Sequence, residues 1–185
     1  FNWISNSPDF WQGIIDETYQ KYNGLAAWHT KLVQETIAKG YYKSPTGRTY
    51  RFLPYKDERG NIAYSTTKIK NYPVQGLSAD LMAIARISAQ KRLRKFGNSV
   101  LLVNTVHDDL ELDCDNTVDI QEVAEILRQV FKDIPANFNK IFINLGNFSE
   151  SGLSNQYQEM NIPFEAEIFS GYDLSNMKEI KDVLG

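Results

Sequence analysis

Apolar residues recur at helical spacing in long stretches of this chain, and short runs of β-branched and aromatic residues lie between them. Residues 8–22 set Trp11, Ile14, Ile15 and Tyr22 near one stripe, and Pro8 suits a first helical turn, so a helix is predicted there. Asn23-Gly24 breaks it. Residues 25–39 predict a second helix through Leu25, Trp28 and Leu32, with Gly40 just past its end. A hairpin follows: Tyr41-Tyr42-Lys43, the turn Ser44-Pro45-Thr46-Gly47, then Arg48 to Leu53. Pro at the second and Gly at the fourth turn position suit a type I turn. Residues 55–66 are polar, contain Arg59-Gly60-Asn61, and predict a surface loop.

The second half repeats the alternation. A helix is predicted from Pro73 to about Phe96, with Val74, Leu77, Leu81, Ile84 and Leu93 as its buried stripe and Gly97 ending it. Ser99 to Val106 predicts a buried strand, and Leu110 to Cys114 a half-buried one. His107-Asp108-Asp109 connects them tightly, as a hairpin. Asp119 to Asp133 predicts an amphipathic helix through Ile120, Val123, Leu127, Val130 and Phe131. Residues 141–163, rich in Gly, Ser and Asn, predict a mobile insertion. Phe164 to Phe169 alternates as a last strand would. The fold class this order predicts is α+β, an antiparallel sheet covered by helices on one face.

Composition narrows the class. Apolar residues make up 42% of 185, aromatics 12% and charged residues 23%, enough for a core and too apolar for disorder. No apolar run nears the roughly 18 residues that span a bilayer. The first ten residues lack the pattern of a signal peptide. They begin with Phe rather than Met, so a piece of a longer chain is expected. A single cysteine, Cys114, excludes an intrachain disulfide framework and a Cys-based zinc site, and agrees with a reducing compartment. Net charge is −3, but it is segregated: residues 39–95 carry a local net of +10, and residues 104–185 a local net of −11. Such a chain could hold a polyanion with one part and cations with the other; two ordinary solvated surfaces would look the same. Lys91, Arg92, Arg94 and Lys95 also suit a helix C-terminus through its dipole.

Candidate chemistry concentrates at Val106 to Asp113, where Asp108, Asp109, Glu111 and Asp113 put four carboxylates within six residues. Like charges so close repel unless a cation or a proton sits between them. A hard divalent ion resolves this, and Mg²⁺ takes one or two carboxylates together with substrate phosphates. Simple solvation of an acidic hairpin tip is the plainer alternative. His29, the other histidine besides His107, falls mid-helix and is expected to be structural.

Thr105-Val106-His107-Asp108-Asp109 resembles the third catalytic motif of family A DNA polymerases, the bacterial polymerase I type, whose usual form is Val-His-Asp-Glu. Asp109 stands where Glu is usual; it keeps the charge and shortens the reach. Asn71-Tyr72-Pro73-Val74-Gln75-Gly76-Leu77-Ser78-Ala79-Asp80 resembles the family's Asn-x-Pro-x-Gln-Gly-x-x-Ala-Asp helix start. Gly47-Arg48-Thr49-Tyr50-Arg51-Phe52-Leu53-Pro54 is similar to its Gly-Arg-Arg-x-x-Leu-Pro hairpin. Ser170-Gly171-Tyr172-Asp173 falls where the family has a Gly- and Trp-bearing end. The matches come in the family's order and cover roughly residues 19–173.

The resemblance implies nucleotidyl transfer: a primer 3′-hydroxyl attacks the α-phosphate of a nucleotide and releases pyrophosphate, with two Mg²⁺ ions stabilising the attacking and leaving oxygens. It implies a palm sheet with an acidic hairpin, part of a polymerase hand. Asp108 would be a metal-binding carboxylate, with His107 and Asp109 positioning the primer end. Gln75 and Asn71 would contact the template–primer DNA in the minor groove, where correct pairs present similar acceptors; Asn71 could equally cap its helix. Arg48, Arg51, Lys68 and Lys70 would contact phosphates. The family's first carboxylate motif, its nucleotide-gripping fingers helix and a 3′–5′ exonuclease do not occur in this sequence. The expectation is therefore a C-terminal polymerase portion, inactive alone, that needs the missing N-terminal portion or subunit. Residues 1–98 would be the end of the fingers with palm helices and the basic hairpin, and residues 99–185 the palm hairpin, helix and terminal strand. Template–primer DNA and deoxynucleoside triphosphates are the expected partners, with no membrane and a cytoplasmic, bacterial or phage-encoded setting. Two alternatives stay open: a non-catalytic module that binds nucleic acid or assembles with a partner, and a fragment of a single-subunit RNA polymerase.

Overall fold

A computed structural model of the chain describes residues 7–143 and 159–181. It divides into two compact units: residues 1–43 with 49–74, and residues 44–48 with 75–185. The insertion expected over residues 141–163 lies largely outside the described residues.

In the first unit, α1 (Pro8–Lys21) and α2 (Asn23–Lys39) form where the apolar spacing placed them. Gly40 ends α2 at φ 75°, a backbone state in which glycine meets no Cβ clash. β1 (Tyr41–Lys43) pairs antiparallel with β2 (Thr49–Arg51), Tyr42 opposite Tyr50. Leu32, Phe52 and Ile69 are the buried centre, with Val33, Tyr42, Tyr50 and Tyr64 packed on them. The apolar stripe expected on α1 stays largely in solvent: Trp11, Ile14, Ile15 and Tyr22 are exposed and none of α1's residues is buried.

Residues 55–66 are not a plain loop. β3 (Tyr55–Lys56) pairs with β4 (Ile62–Ala63). The Asp57 side chain accepts the backbone N–H groups of Arg59 (2.9 Å) and Asn61 (2.8 Å), closing the turn. These hydrogen bonds, the Asn61 amide first, hold the Asp57 carboxyl below the usual carboxylate range.

The long helix begins earlier than its proline. α3 runs Thr66–Leu93 with Pro73 inside it. The Ile69 N–H already bonds the Ser65 carbonyl at 3.1 Å. An interior proline costs about 3 kcal/mol, so the first turn was the cheaper expectation; burial of Ile69 and Pro73 offsets that cost. Leu81, Ile84 and Leu93 are buried as expected, joined by Ala85 and Ala89, whereas Val74 is exposed. A 3₁₀ turn (Arg94–Ser99), with Gly97 at φ 59°, turns the chain into the next strand.

In the second unit, β5 (Val100–Val106) and β6 (Asp109–Cys114) form an antiparallel hairpin. β5 is not the buried strand its composition suggested: Val100 is buried, while Leu101, Val103 and Val106 are exposed. A two-stranded ribbon has one face on the core and one open. α4 (Ile120–Lys132) packs Val123, Leu127 and Val130 into the same core as α3's stripe. The short α5 (Ile134–Phe138) and a π-helical turn (Asn139–Ile143) follow it, and neither was expected. The alternation at Phe164 to Phe169 yields a strand only at its end: β7 (Phe169–Ser170) pairs with β8 (Lys178–Glu179). Alternation marks a face; a strand also needs a partner. Gly171 is demanded by the turn between them, since a Cβ there would lie 2.6 Å from the Asn176 carbonyl oxygen. The α+β class with antiparallel strands and packed helices is what the structure shows, its strands arranged as four separate two-stranded hairpins among the described residues.

Candidate active site

The acidic hairpin is built by a register device. Leu102 opposes Leu112, Asn104 opposes Glu111, and Thr105 opposes Leu110, with a β-bulge between Leu102 and Asn104. The extra residue, Val103, reverses the alternation of β5. Leu102 and Thr105 therefore both face inward with Leu110 and Leu112, and Asp109, Glu111 and Asp113 share the outer face of β6. The Asn104 amide donates to Glu111 Oε2 at 2.9 Å across the strands, fixing that carboxylate.

Val106 pairs with Asp109, leaving His107 and Asp108 as a two-residue loop. His107 has φ 53°, and it is the one non-glycine residue with positive φ among those described. Two-residue hairpin loops need such left-handed backbone to match the strand twist. At a histidine it carries strain, of the kind that concentrates at functional sites. His107, Asp108 and Asp109 are all exposed. Their side chains make no hydrogen bond or ion pair among the described residues. A groove of about 1040 Å³ between β6, α4 and the β7–β8 hairpin reaches Asp109 of the three; Leu112, Cys114, Ile120, Phe169 and Met177 are also among its lining. Burial, then the neighbouring Asp113, pushes the Cys114 thiol up, so it is a poor nucleophile there.

No three His, Cys, Asp or Glu side chains among the described residues converge on a point that could hold a metal. Asp108 nevertheless fits Mg²⁺ as a single ligand. It is a hard oxygen donor, exposed at a fixed apex, and this ion needs few protein carboxylates when phosphates and water complete its shell.

The expected DNA contacts divide between the units. Arg51, Lys68, Lys70 and Asn71 belong to the first, Arg48 and Gln75 to the second. Asn71 and Gln75 stand one turn apart on α3 and both are exposed. Asn71 is no cap, because its helix starts at Thr66. Arg51, Lys68 and Lys70 enter no ion pair among the described residues. Arg48 does: its Nη2 lies 2.5 Å from Asp80 Oδ1 and its Nε 3.5 Å from Asp80 Oδ2. Thr46 Oγ1 donates to the same Oδ2 at 2.5 Å. Asp80 carries a signal in the sequence as well: it is one of three acids among thirteen cations between residues 39 and 95, and sits on a helix.

Residues 7–147 match the model of DNA polymerase family A. DNA polymerase I of Aquifex aeolicus (strain VF5) is 29% identical over 123 residues, covering 65% of this chain and 19% of that protein. The thermostable DNA polymerase I of Thermus aquaticus is 30% identical over 125 residues, 66% of this chain and 14% of the relative. That of Thermus filiformis is 26% identical over 170 residues, 91% of this chain and 17% of the relative. The chain thus spans less than a fifth of the length of these relatives. Among solved structures, the POL domain of Pol1 from M. smegmatis, in complex with DNA primer-template and dNTP, superposes with a TM-score of 0.58 at 18% identity, over 69% of this chain and 23% of that one. That likeness is one of fold.

Proposed function

The chain belongs to DNA polymerase family A, and from this premise we propose that it is the C-terminal palm portion of a template-directed DNA polymerase, adding deoxynucleotides to a primer 3′-hydroxyl once the N-terminal portion is supplied. One observation carries the reading. The β5–β6 hairpin presents Asp108 bare at its apex, between a left-handed His107 and Asp109, in the stretch that matches the family.

In this reading Asp108 offers a carboxylate oxygen to Mg²⁺, which when bound neutralises phosphate charge at the reacting centre. The hairpin pairing on both sides of the apex fixes the backbone of Asp108, so only its side chain has to turn to meet the ion. His107 and Asp109, at the two ends of the loop, orient the primer terminus by hydrogen bonds. Gln75 and Asn71 donate to the minor-groove acceptors that correct pairs share, which checks pair shape without reading sequence. Arg48, Arg51, Lys68 and Lys70 bind phosphates. The chain alone holds one carboxylate of a two-carboxylate centre and is inactive by itself. Family membership favours the DNA enzyme over a single-subunit RNA polymerase. No helix among the described residues is long and apolar enough to cross a membrane, and a cytoplasmic setting beside template and nucleotides goes with this reading.

The test is Mg²⁺-dependent primer extension by the chain supplied with an upstream polymerase portion. Extension is expected from the pair and not from the chain alone. Asp108→Ala should lower it on the order of a hundredfold or more, as loss of a preorganised electrostatic group does. Extension at the unmodified rate in Asp108→Ala refutes the assignment of Asp108, whereas no extension from any such pair leaves a module that binds nucleic acid without catalysis.

A further inference from the structure

Arg48 is not simply an exposed cation. It sits in the Ser44–Arg48 turn, and the turn is closed on itself by side chains. The Arg48 backbone N–H donates to Ser44 Oγ at 3.1 Å. Ser44 Oγ and Thr46 Oγ1 are hydrogen-bonded at 2.8 Å, and Thr46 donates on to Asp80. Asp80 then takes the Nε and Nη2 edge of the Arg48 guanidinium. The two partners differ in environment: the Asp80 side chain is 11% exposed and the Arg48 side chain 55%. A nearly buried carboxylate thus grips one edge of a planar fork and leaves the group turned outward. A two-point grip fixes the plane of a guanidinium, where a single contact would let it rotate. The buried hydroxyl of Ser44 fixes the backbone of the same residue.

We infer that Asp80 is a positioning residue for nucleic-acid binding: it holds the Arg48 guanidinium in the orientation that engages a backbone phosphate. The inference rests on the reading of Arg48 as a phosphate contact. Simple charge counting predicts the opposite effect of Asp80. An acid beside a DNA-binding arginine cancels its charge, so removing the acid should tighten binding to a polyanion. Positioning predicts that removing it loosens binding, although the protein becomes more positive. The sign of one measurement separates the two.

The experiment is a salt titration of binding to a fluorescent primer–template duplex, using the whole chain and its Asp80→Asn, Asp80→Glu, Arg48→Ala and Asp80→Asn/Arg48→Ala variants. Thermal unfolding is followed in parallel. Arg48→Ala should weaken binding and reduce the salt slope by about one, as loss of one phosphate contact does. Asp80→Asn should weaken binding by roughly three- to tenfold, up to the range of a lost charge-assisted hydrogen bond, and should add nothing in the Arg48→Ala background. Asp80→Glu keeps the charge and misplaces the grip; it should also weaken binding while its melting temperature stays near that of the parent. Unchanged or tighter binding in Asp80→Asn and Asp80→Glu overturns the inference while the phosphate role of Arg48 stands. Unchanged binding in Arg48→Ala overturns that role, and the inference with it.

Discussion

His107→Gly separates the strain stored in the hairpin from the chemistry of the side chain that bears it. His107 adopts φ 53° as the first residue of a two-residue loop. For an L-residue the left-handed state costs roughly 1–2 kcal/mol, which glycine does not pay. Glycine loses more chain entropy on folding, about 0.5–1 kcal/mol. The imidazole is exposed and hydrogen-bonds to nothing among the described residues, so its removal forfeits little packing. The difference is a stabilisation of about 0.5–1 kcal/mol, or a rise in Tm of about 1–4 °C for a chain of this size. His107→Ala keeps the backbone penalty without that relief, and should melt at or slightly below the parent. Circular dichroism melts and urea midpoints measure both. Primer extension with the upstream portion should fall in both variants, so His107→Gly gains stability while losing activity. Should His107→Gly melt below His107→Ala, the loop is not held left-handed by its pairing and the strain argument fails.

Two further outcomes follow from the geometry. His29 accepts or donates at Tyr19 Oη (3.2 Å), and burial first, then the Lys70 charge, holds its pKa below the ordinary 6.5. Between that depressed value and 6.5 the unfolded chain binds more protons than the folded one, so stability rises with pH across this window and is lost on acidification; urea midpoints from pH 7.5 to 5 should show a loss that His29→Phe abolishes, and equal slopes in the two proteins would contradict it. Asp119 caps α4, accepting the Gln121 N–H at 2.9 Å; Asp119→Ala should cost about 1 kcal/mol and Asp119→Asn much less, and equal urea midpoints for the two would contradict the cap.

Local chemistry was legible in the sequence, while partners were not. Gly40, the Ser44–Gly47 turn and the amphipathic α4 announce themselves because the residues that specify them are contiguous. The start of α3 did not, because a proline at residue 73 suits a first turn on local grounds, and what overrides it is burial of Ile69 against residues far away in sequence. The bulge at Val103 was equally hidden. Nothing in Val-Leu-Leu-Val-Asn-Thr-Val marks which residue is extra; pairing with β6 decides it. Asp108 at a hairpin apex was legible, since two apolar runs flank a short polar step. The role of Asp80 was not, because its partners Thr46 and Arg48 are thirty-four and thirty-two positions away.

Charge segregation along the chain is a poor map of the charge a ligand would meet. Four of the thirteen cations in the basic stretch are answered by ion pairs among the described residues. Arg92 pairs with Asp133, and Lys95 Nζ lies 2.5 Å from Glu122 Oε1, so two members of the cluster at the end of α3 are met by acids at the two ends of α4. Burial alone would raise the Asp133 carboxyl, but hydrogen bonds from Arg92 and Gln129 hold it below the usual range. Arg48 is held by Asp80, and Lys39 stands 3.9 Å from Glu35. What remains without an ion pair among the described residues includes Arg51, Lys68 and Lys70, all in the first unit. A polyanion selects for cations that folding has left unanswered, since a paired cation must be released or shared before it can serve. By that criterion the proposed phosphate contacts Arg51, Lys68 and Lys70 qualify in full and the denser cluster from Lys91 to Lys95 only through Lys91 and Arg94, while Arg48 enters the proposal as a cation that its acid orients.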